Sequence, residues 1–271
     1  MRGEEVGRLF LVLFQATSAF LRRLNREELI SLVENKNYFS FSIQKRGRTR
    51  LSRPINSGLF LVDSSQVETC WESLLEDDLA GRDADAVTKV IYTLAISFCA
   101  GVDMVKDGDK KTPGTFFEYL IGYLFAKALG IDPVRRIQVL NLDLTASLPT
   151  DYIFNLGSNR PKFHVPVKTS TRERIIQVWA HQRVLDGVYG TGRFLGMPVV
   201  LNETKLDVAN RKVTEICLPE QWLIYQMHIA KLNRIYYLDV PESYGRLNLV
   251  FPPIRILPFG QFFFEFAELT S

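Results

Sequence analysis

Residues 164–190 read HVPVKTSTRERIIQVWAHQRVLDGVYG. The stretch runs from a strand through a Ser/Thr turn into a helix. Side chains alternate across a strand, so His164, Pro166 and Lys168 share one face, and Phe163, Val165 and Val167 share the other. Ser170 followed three residues later by Glu173 is a capping-box pattern. It predicts a helix starting at Ser170 or Thr171, with Arg172, Glu173 and Arg174 in its first turn. At about 100° per residue, Ile175, Val178, Trp179, Gln182 and Leu185 fall on one stripe of that helix. Gln182 is the polar group on this apolar stripe, so it is either hydrogen-bonded inside the core or pointed at a site.

Upstream, LPTDYIFNL places Asp151 at the head of a neighbouring strand, 17 residues before Lys168. The two side chains are thus expected to meet at one end of a strand pair. A carboxylate beside a lysine suits metal-assisted phosphodiester hydrolysis. Carboxylate oxygens hold Mg²⁺, a hard cation, while the lysine positions or activates a water and offsets phosphate charge.

From about residue 136 onward strands and helices alternate (RIQVLNLDL, DYIFNL, FHVPVK, the 172–186 helix, MPVVLNE, VTEICL, EQWLIYQMHIAKL, RIYYLDV). That pattern predicts an α/β fold with a mixed central sheet flanked by helices. Before it, KTPGTFFEYLIGYLFAKALG reads as a helix with Thr112 as N-cap, Pro113 at the first position and Gly130 at the close. Glu118 sits in the middle of its apolar face. Residues 83–106 read as a core helix entered through Asp83 or Asp85, and residues 1–34 as one or two helices.

Between them, NKNYFSFSIQKRGRTRLSRP carries Lys36, Lys45, Arg46, Arg48, Arg50 and Arg53 without an acid. It is either a solvated loop or a phosphate-contacting arm. The chain therefore divides into a mainly helical N-terminal region, 1–110, with a basic arm at 36–53 that contacts DNA or a second copy, and a core at 111–271.

Composition bounds the rest. With 271 residues, 46% hydrophobic and 23% charged, the chain can bury a sizeable core, and a net charge of +3 does not by itself imply nucleic acid. Cys70, Cys99 and Cys217 are odd in number and far apart, which argues against a disulfide framework or a zinc knuckle and fits a reducing cytoplasm. RLFLVLFQATSAFLRRL follows Glu4 and Glu5 and is broken by Gln15 and Ser18, so it reads as an amphipathic helix and not a signal peptide. No stretch is expected to span a membrane. GxSxG and GxxxxGK[ST] are missing, YGTGRFLG lacks the dinucleotide-binding spacing, and three scattered histidines make no metal cluster by spacing.

The order PTD, then PVK, then a Ser-capped helix opening RER resembles the type II restriction endonucleases of the PD-(D/E)XK superfamily. The resemblance is to the branch that reads CCGG, or CC/GG half-sites split by a central base or base pair. It covers about residues 115–240, and its most specific element is KTSTRER, similar to that branch's K-x-S-x-R-(D/E)-R theme. It implies Asp151 as a metal ligand, Lys168 as the catalytic lysine, Glu118 as a carboxylate from the first helix, and Arg172, Glu173 and Arg174, with Ser170, as the segment on the DNA. Lys45, Arg46 and Arg48 of the basic arm would meet phosphates.

The sequence departs from the pattern at one point. The acid expected two residues before the lysine is Pro166, and the branch moves that acid onto the following helix, 13 or 14 residues after the lysine, where this chain has His181 and Gln182. The stripe argument favours Gln182 as the metal-shell group.

Base readout by RER has a physical basis. Arginine matches guanine O6 and N7, and a carboxylate accepts from cytosine N4, each good pair giving roughly 1 to 3 kcal/mol of discrimination. Two arginines in a first turn oppose the helix dipole, which a merely solvated helix start does not explain.

The expected protein is thus a Mg²⁺-dependent endonuclease that cuts a short palindrome in double-stranded DNA as a homodimer, with a cognate DNA methyltransferase as its functional partner. The competing readings are a non-catalytic DNA-binding protein and a structure-specific nuclease on the same scaffold. Trp71 is a candidate aromatic for receiving a flipped base.

Overall fold

The computed structural model describes residues 1–45, 47–140, 145–158, 160–250 and 254–270, without the side chains of Arg48, Leu140, Thr145 and Glu173. The chain opens with helix α1 (Glu4–Leu21), strands β1 (Asn25–Ser31), β2 (Tyr38–Lys45), β3 (Arg48–Leu51) and β4 (Ile55–Asn56), then helices α2 (Ser64–Leu75), α3 (Ala84–Val105) and α4 (Lys111–Leu129). Next come β5 (Val134–Leu140), β6 (Thr145–Asn155), β7 (Lys162–Val165) and β8 (Val167–Lys168), a 3₁₀ turn at Arg172–Ile175, α5 (Ile176–Tyr189), β9 (Phe194–Gly196) and β10 (Val199–Val200). The chain continues through β11 (Thr204–Asp207), β12 (Lys212–Glu215), α6 (Pro219–His228), β13 (Ile235–Tyr237), α7 (Glu242–Gly245), β14 (Ile256–Pro258) and α8 (Phe262–Thr270).

The mixed α/β architecture expected from the alternating pattern is present. One ladder runs β5-β6-β7-β9 and another β14-β13-β10-β8. β7 and β8 are separated only by Pro166, and β9 and β10 only by Met197 and Pro198, so the two ladders join into one curled sheet. The join is hydrogen-bonded: Met197 N–H donates to the His164 carbonyl and Val199 N–H to the Pro166 carbonyl, both at 2.8 Å. β5, β6 and β7 are antiparallel, and β8, β10, β13 and β14 are parallel.

Residues 25–31, expected as helix, form a strand. NREELIS is rich in helix formers, but β1 pairs antiparallel with β2 from Asn25↔Ser42 to Leu29↔Tyr38 and parallel with β12. Cross-strand contacts hold it there, with the Arg26 guanidinium 3.8 Å from the Phe39 ring centroid and Ser42 Oγ donating to Glu27 at 3.1 Å. Pairing has overridden local propensity.

α3 is the core helix, capped by Asp83, whose carboxylate accepts from Ala86 N–H at 2.7 Å. By length and composition it could cross a bilayer, contrary to the sequence expectation, yet most of it is buried inside this fold. One cluster of buried side chains surrounds it and runs from Phe10 to Phe262, so residues 1–110 and 111–271 share a core.

α4 starts one residue before Thr112, because Asp109 supplies the cap by accepting from Thr112 N–H at 2.9 Å. It ends on Gly130 in the left-handed region, as expected (φ 67°). At Gly122 it presses on β6 so closely that a Cβ would stand 2.4 Å from Tyr152 Cζ.

Candidate active site

Asp151 and Lys168 meet where the sheet is irregular. Three residues of β6, Thr150 to Tyr152, stand opposite the single residue Arg135 of β5, between the pairs Arg136↔Pro149 and Val134↔Ile153. Such a bulge re-aims side chains. Across on β7 and β8, Pro166 has no N–H to give, and the next donor, Val167 N–H, points at Asp151 Oδ2 at 2.8 Å. Lys168 Nζ reaches the same oxygen at 2.8 Å. Both hydrogen bonds of Asp151 thus fall on Oδ2, which leaves Oδ1 for another partner. The pair opens into a pocket of about 160 Å³ whose walls include Thr150, Pro166, Gln177 and His181.

Glu118 approaches from α4. Burial, and then the charge of Asp151, push its carboxyl pKa above the ordinary value, while Arg135 works against the rise. Arg135, opposite the bulge, donates to Glu118 Oε1 at 2.6 Å and to the Tyr152 hydroxyl at 2.9 Å. Tyr152 in turn donates to the Glu118 carbonyl at 3.1 Å. The resemblance gave no sign that Glu118 would carry its own counter-ion.

Gln182 is not in this pocket, which corrects the expectation that it joins a metal shell. Its amide nitrogen donates to Asp186 Oδ1 at 3.0 Å and to the Phe194 carbonyl at 2.9 Å, and its oxygen lies 3.1 Å from His164 Nδ1. With Oε1 an acceptor, His164 carries its proton on Nδ1. Gln182 is buried, as its place on the apolar stripe predicts, but its burial faces away from the site. Trp179, Gln182 and Leu185 pack inward, while Gln177, Val178 and His181, on the flank of the stripe, line the pocket with Asp151 and Lys168. His181, not favoured by the stripe, lines the pocket, with its pKa lowered by partial burial and then by the Lys168 charge.

Among the described residues no group of three or more His, Cys, Asp or Glu side chains forms a ready-made metal cage. The fit to Mg²⁺ rests on less. That ion keeps waters and takes one or two carboxylates plus substrate phosphates. Asp151, both of whose hydrogen bonds fall on Oδ2, and Glu118, whose pKa feels the Asp151 charge but whose Oε1 is held by Arg135, are the two carboxylates that would hold such an ion.

Three residues separate the RER segment from the end of β8. The capping box is not what starts the helix: Ser170 Oγ donates to Glu203 Oε2 at 2.8 Å, and the Glu173 side chain lies outside the described residues. Thr171 N–H also donates to Glu203, at 2.9 Å. Glu203 is buried and its pKa raised by that burial. Arg172 has φ +36°, a conformation non-glycine residues avoid. Arg172 and Arg174 are exposed and line a groove of about 760 Å³ together with Arg53, Lys110, Asn202 and Lys205.

Three of the four described basic side chains of the arm are paired within the protein. Lys36 is buried, bonded to Glu215 at 2.7 Å and Asp239 at 2.8 Å. Arg53 forks onto Asp103 at 2.7 and 2.8 Å, and Arg50 donates to the Lys106 carbonyl at 2.6 Å. Lys45 is exposed and lines an adjoining groove with Lys106 and Lys110. Arg46 and the Arg48 side chain lie outside the described residues. Trp71 is buried and donates to the Gly7 carbonyl at 2.9 Å, so it is not placed to receive a base.

Among solved structures, the crystal structure of the Type IIP restriction endonuclease Kpn2I is similar to this chain, with a TM-score of 0.79 and 25% identity over 96% of this chain and 89% of that one. A complex of the restriction endonuclease PspGI with substrate DNA gives 0.46 and 14% identity over 76% and 92%. No protein-family model matches, and no curated protein matches.

Proposed function

We propose that this chain, built on the restriction-endonuclease fold, is a type II site-specific deoxyribonuclease that uses Mg²⁺ to cut double-stranded DNA at a short palindrome containing CC/GG half-sites. The observation that carries the reading is the convergence of Lys168 Nζ and Val167 N–H on Asp151 Oδ2 at the mouth of a pocket, within a fold matched to Kpn2I at a TM-score of 0.79. A two-fold homodimer would place one such site on each strand. A cognate methyltransferase and a cytoplasmic setting belong to the same reading, and the free thiols of Cys70, Cys99 and Cys217 suit a reducing compartment.

Bound Mg²⁺, held by Asp151 and Glu118, would supply Lewis-acid polarisation of the scissile phosphate. The remaining work falls to the chain. Lys168, held by Asp151, offsets charge on the phosphate oxygens and orients the attacking water. His181, with its pKa lowered, is neutral at neutral pH and presents a ring nitrogen able to accept a proton in the same pocket. Arg172 and Arg174 offer paired donors to guanines.

A second reading, DNA binding without cleavage, is favoured by two observations. Arg135 already neutralises Glu118, and Gln182 adds nothing to the site. Digestion of a sequenced plasmid in Mg²⁺, with mapping of the ends and an EDTA control, decides between the two. Discrete ends at one sequence support the enzyme, and intact plasmid with sequence-selective retention supports the binder.

A further inference from the structure

Glu203 follows β10, is 1% exposed, and gathers donors from two directions. From one side come Ser170 Oγ at 2.8 Å, Thr171 N–H at 2.9 Å and the Thr171 hydroxyl. From the other, the buried Tyr237 hydroxyl donates to Oε1 at 2.9 Å. The same stretch is laddered to the catalytic strand, with Leu201 N–H donating to the Lys168 carbonyl at 3.0 Å and Asn202 N–H to the Thr169 carbonyl at 3.3 Å. Residues 201 to 203 therefore hold residues 168 to 171 step by step. The last step ends at Thr171, directly before Arg172.

Two features make this last step more than packing. Arg172 sits at φ +36°, and such a backbone persists only where its surroundings over-determine it. Glu203 supplies that constraint from inside the fold. It also places an acidic group at the start of the 3₁₀ turn and α5, where the helix dipole favours one and where Arg172 and Arg174 do not provide it. Being buried, Glu203 cannot itself touch a base.

We propose that Glu203 is a specificity-positioning residue: it fixes Thr171, and with it the strained backbone of Arg172, so that the Arg172 and Arg174 guanidinium groups meet base edges in one orientation. The inference rests on the reading of the chain as a sequence-specific endonuclease. Because the Glu203 stretch also grips Lys168, readout and the catalytic lysine share one support.

The test measures binding of the full chain in EDTA at one fixed salt. The probes are the duplex that the wild type selects from a randomised pool and a scrambled duplex. Glu203→Ala is expected to weaken the selected duplex by about tenfold or more and to leave the scrambled one within about twofold. Glu203→Gln keeps an oxygen for Thr171 N–H and is expected to recover most of the lost ratio. Tyr237→Phe, at a buried residue that does not line the groove, removes one anchor of Glu203 and is expected to lower the ratio by about two- to fivefold.

Equal losses on both duplexes, or an unchanged ratio in Glu203→Ala, overturn the proposal. If Glu203→Ala does not fold, Tyr237→Phe decides, and an unchanged ratio there overturns it equally. A wild type that selects a sequence while its variants keep the ratio refutes this inference alone. A wild type that selects no sequence refutes the parent reading and takes this inference with it.

Discussion

His181 and Gln182 are neighbours on α5 that serve different parts of the molecule: His181 lines the pocket of Asp151 and Lys168, and Gln182 joins the core by bonding Phe194, Asp186 and His164. Substituting the two should therefore separate activity from stability. Gln182→Leu is expected to cost about 1 to 3 kcal/mol in urea denaturation, since it strands the buried His164 N–H and the Phe194 carbonyl. The folded fraction should still cut. His181→Ala is expected to melt like the wild type and to cleave at least about tenfold more slowly, a loss within the usual range for a positioned proton acceptor. A His181→Ala protein that cuts at the wild-type rate would remove the imidazole from the chemistry.

Asp151→Ala and Lys168→Ala should each abolish Mg²⁺-dependent cleavage while leaving sequence-selective binding in EDTA close to wild type, because these groups address the phosphate and not the bases. Gel-shift titration beside a plasmid digest checks both halves. Normal cutting by either variant would take that residue out of the catalytic role.

Arg172→Ala and Arg174→Ala should each cost about 1 to 3 kcal/mol on the selected duplex and little on scrambled DNA. Lys45→Ala should do the reverse, weakening both duplexes alike and reducing the salt slope by up to about one. Arg172 offers a sharper comparison. At φ +36°, glycine carries no steric penalty, so Arg172→Gly should be more stable than Arg172→Ala by about 1 kcal/mol while losing the same discrimination.

His164 makes stability depend on pH. Burial lowers its pKa from 6.5 to about 4. As pH falls the unfolded chain takes up the proton first, so the stability tied to the neutral ring is full above about 6.5, declines toward about 4 and is gone below it. The decline amounts to about 3 kcal/mol. Denaturation of the wild type and His164→Asn across that window should show this slope in the first and not in the second.

That Asp151 and Lys168 would meet was legible in the sequence because strand alternation acts locally. The alternating half of the chain gave the mixed sheet for the same reason. What escaped was set by partners distant in sequence. NREELIS reads as helix until β2 and β12 claim its backbone. Lys36 and Arg53 read as free charge until Glu215, Asp239 and Asp103 arrive from elsewhere. Glu203 in MPVVLNE carried no local signal of its partnership with Thr171. The stripe on α5 was read correctly, but an apolar stripe marks what faces the core, and the pocket lies on its edge.

Gly122 gives the site a dimension that no ligand residue controls. Because a single added carbon there would stand 2.4 Å from Tyr152 Cζ, the gap between α4 and β6 is the contact distance of bare backbone on the hydroxyl end of a tyrosine. Glu118 rides on α4 one turn before that contact, and Asp151 rides on β6 one residue before Tyr152. The approach of the two elements that carry these carboxylates is thus gauged by the thickness of a missing side chain, as a shim sets the opening of a vice. Gly122→Ala would press on Tyr152 and, through its bonds to Arg135 and the Glu118 carbonyl, on the setting of Glu118, and ions of different radius would then report the change in spacing.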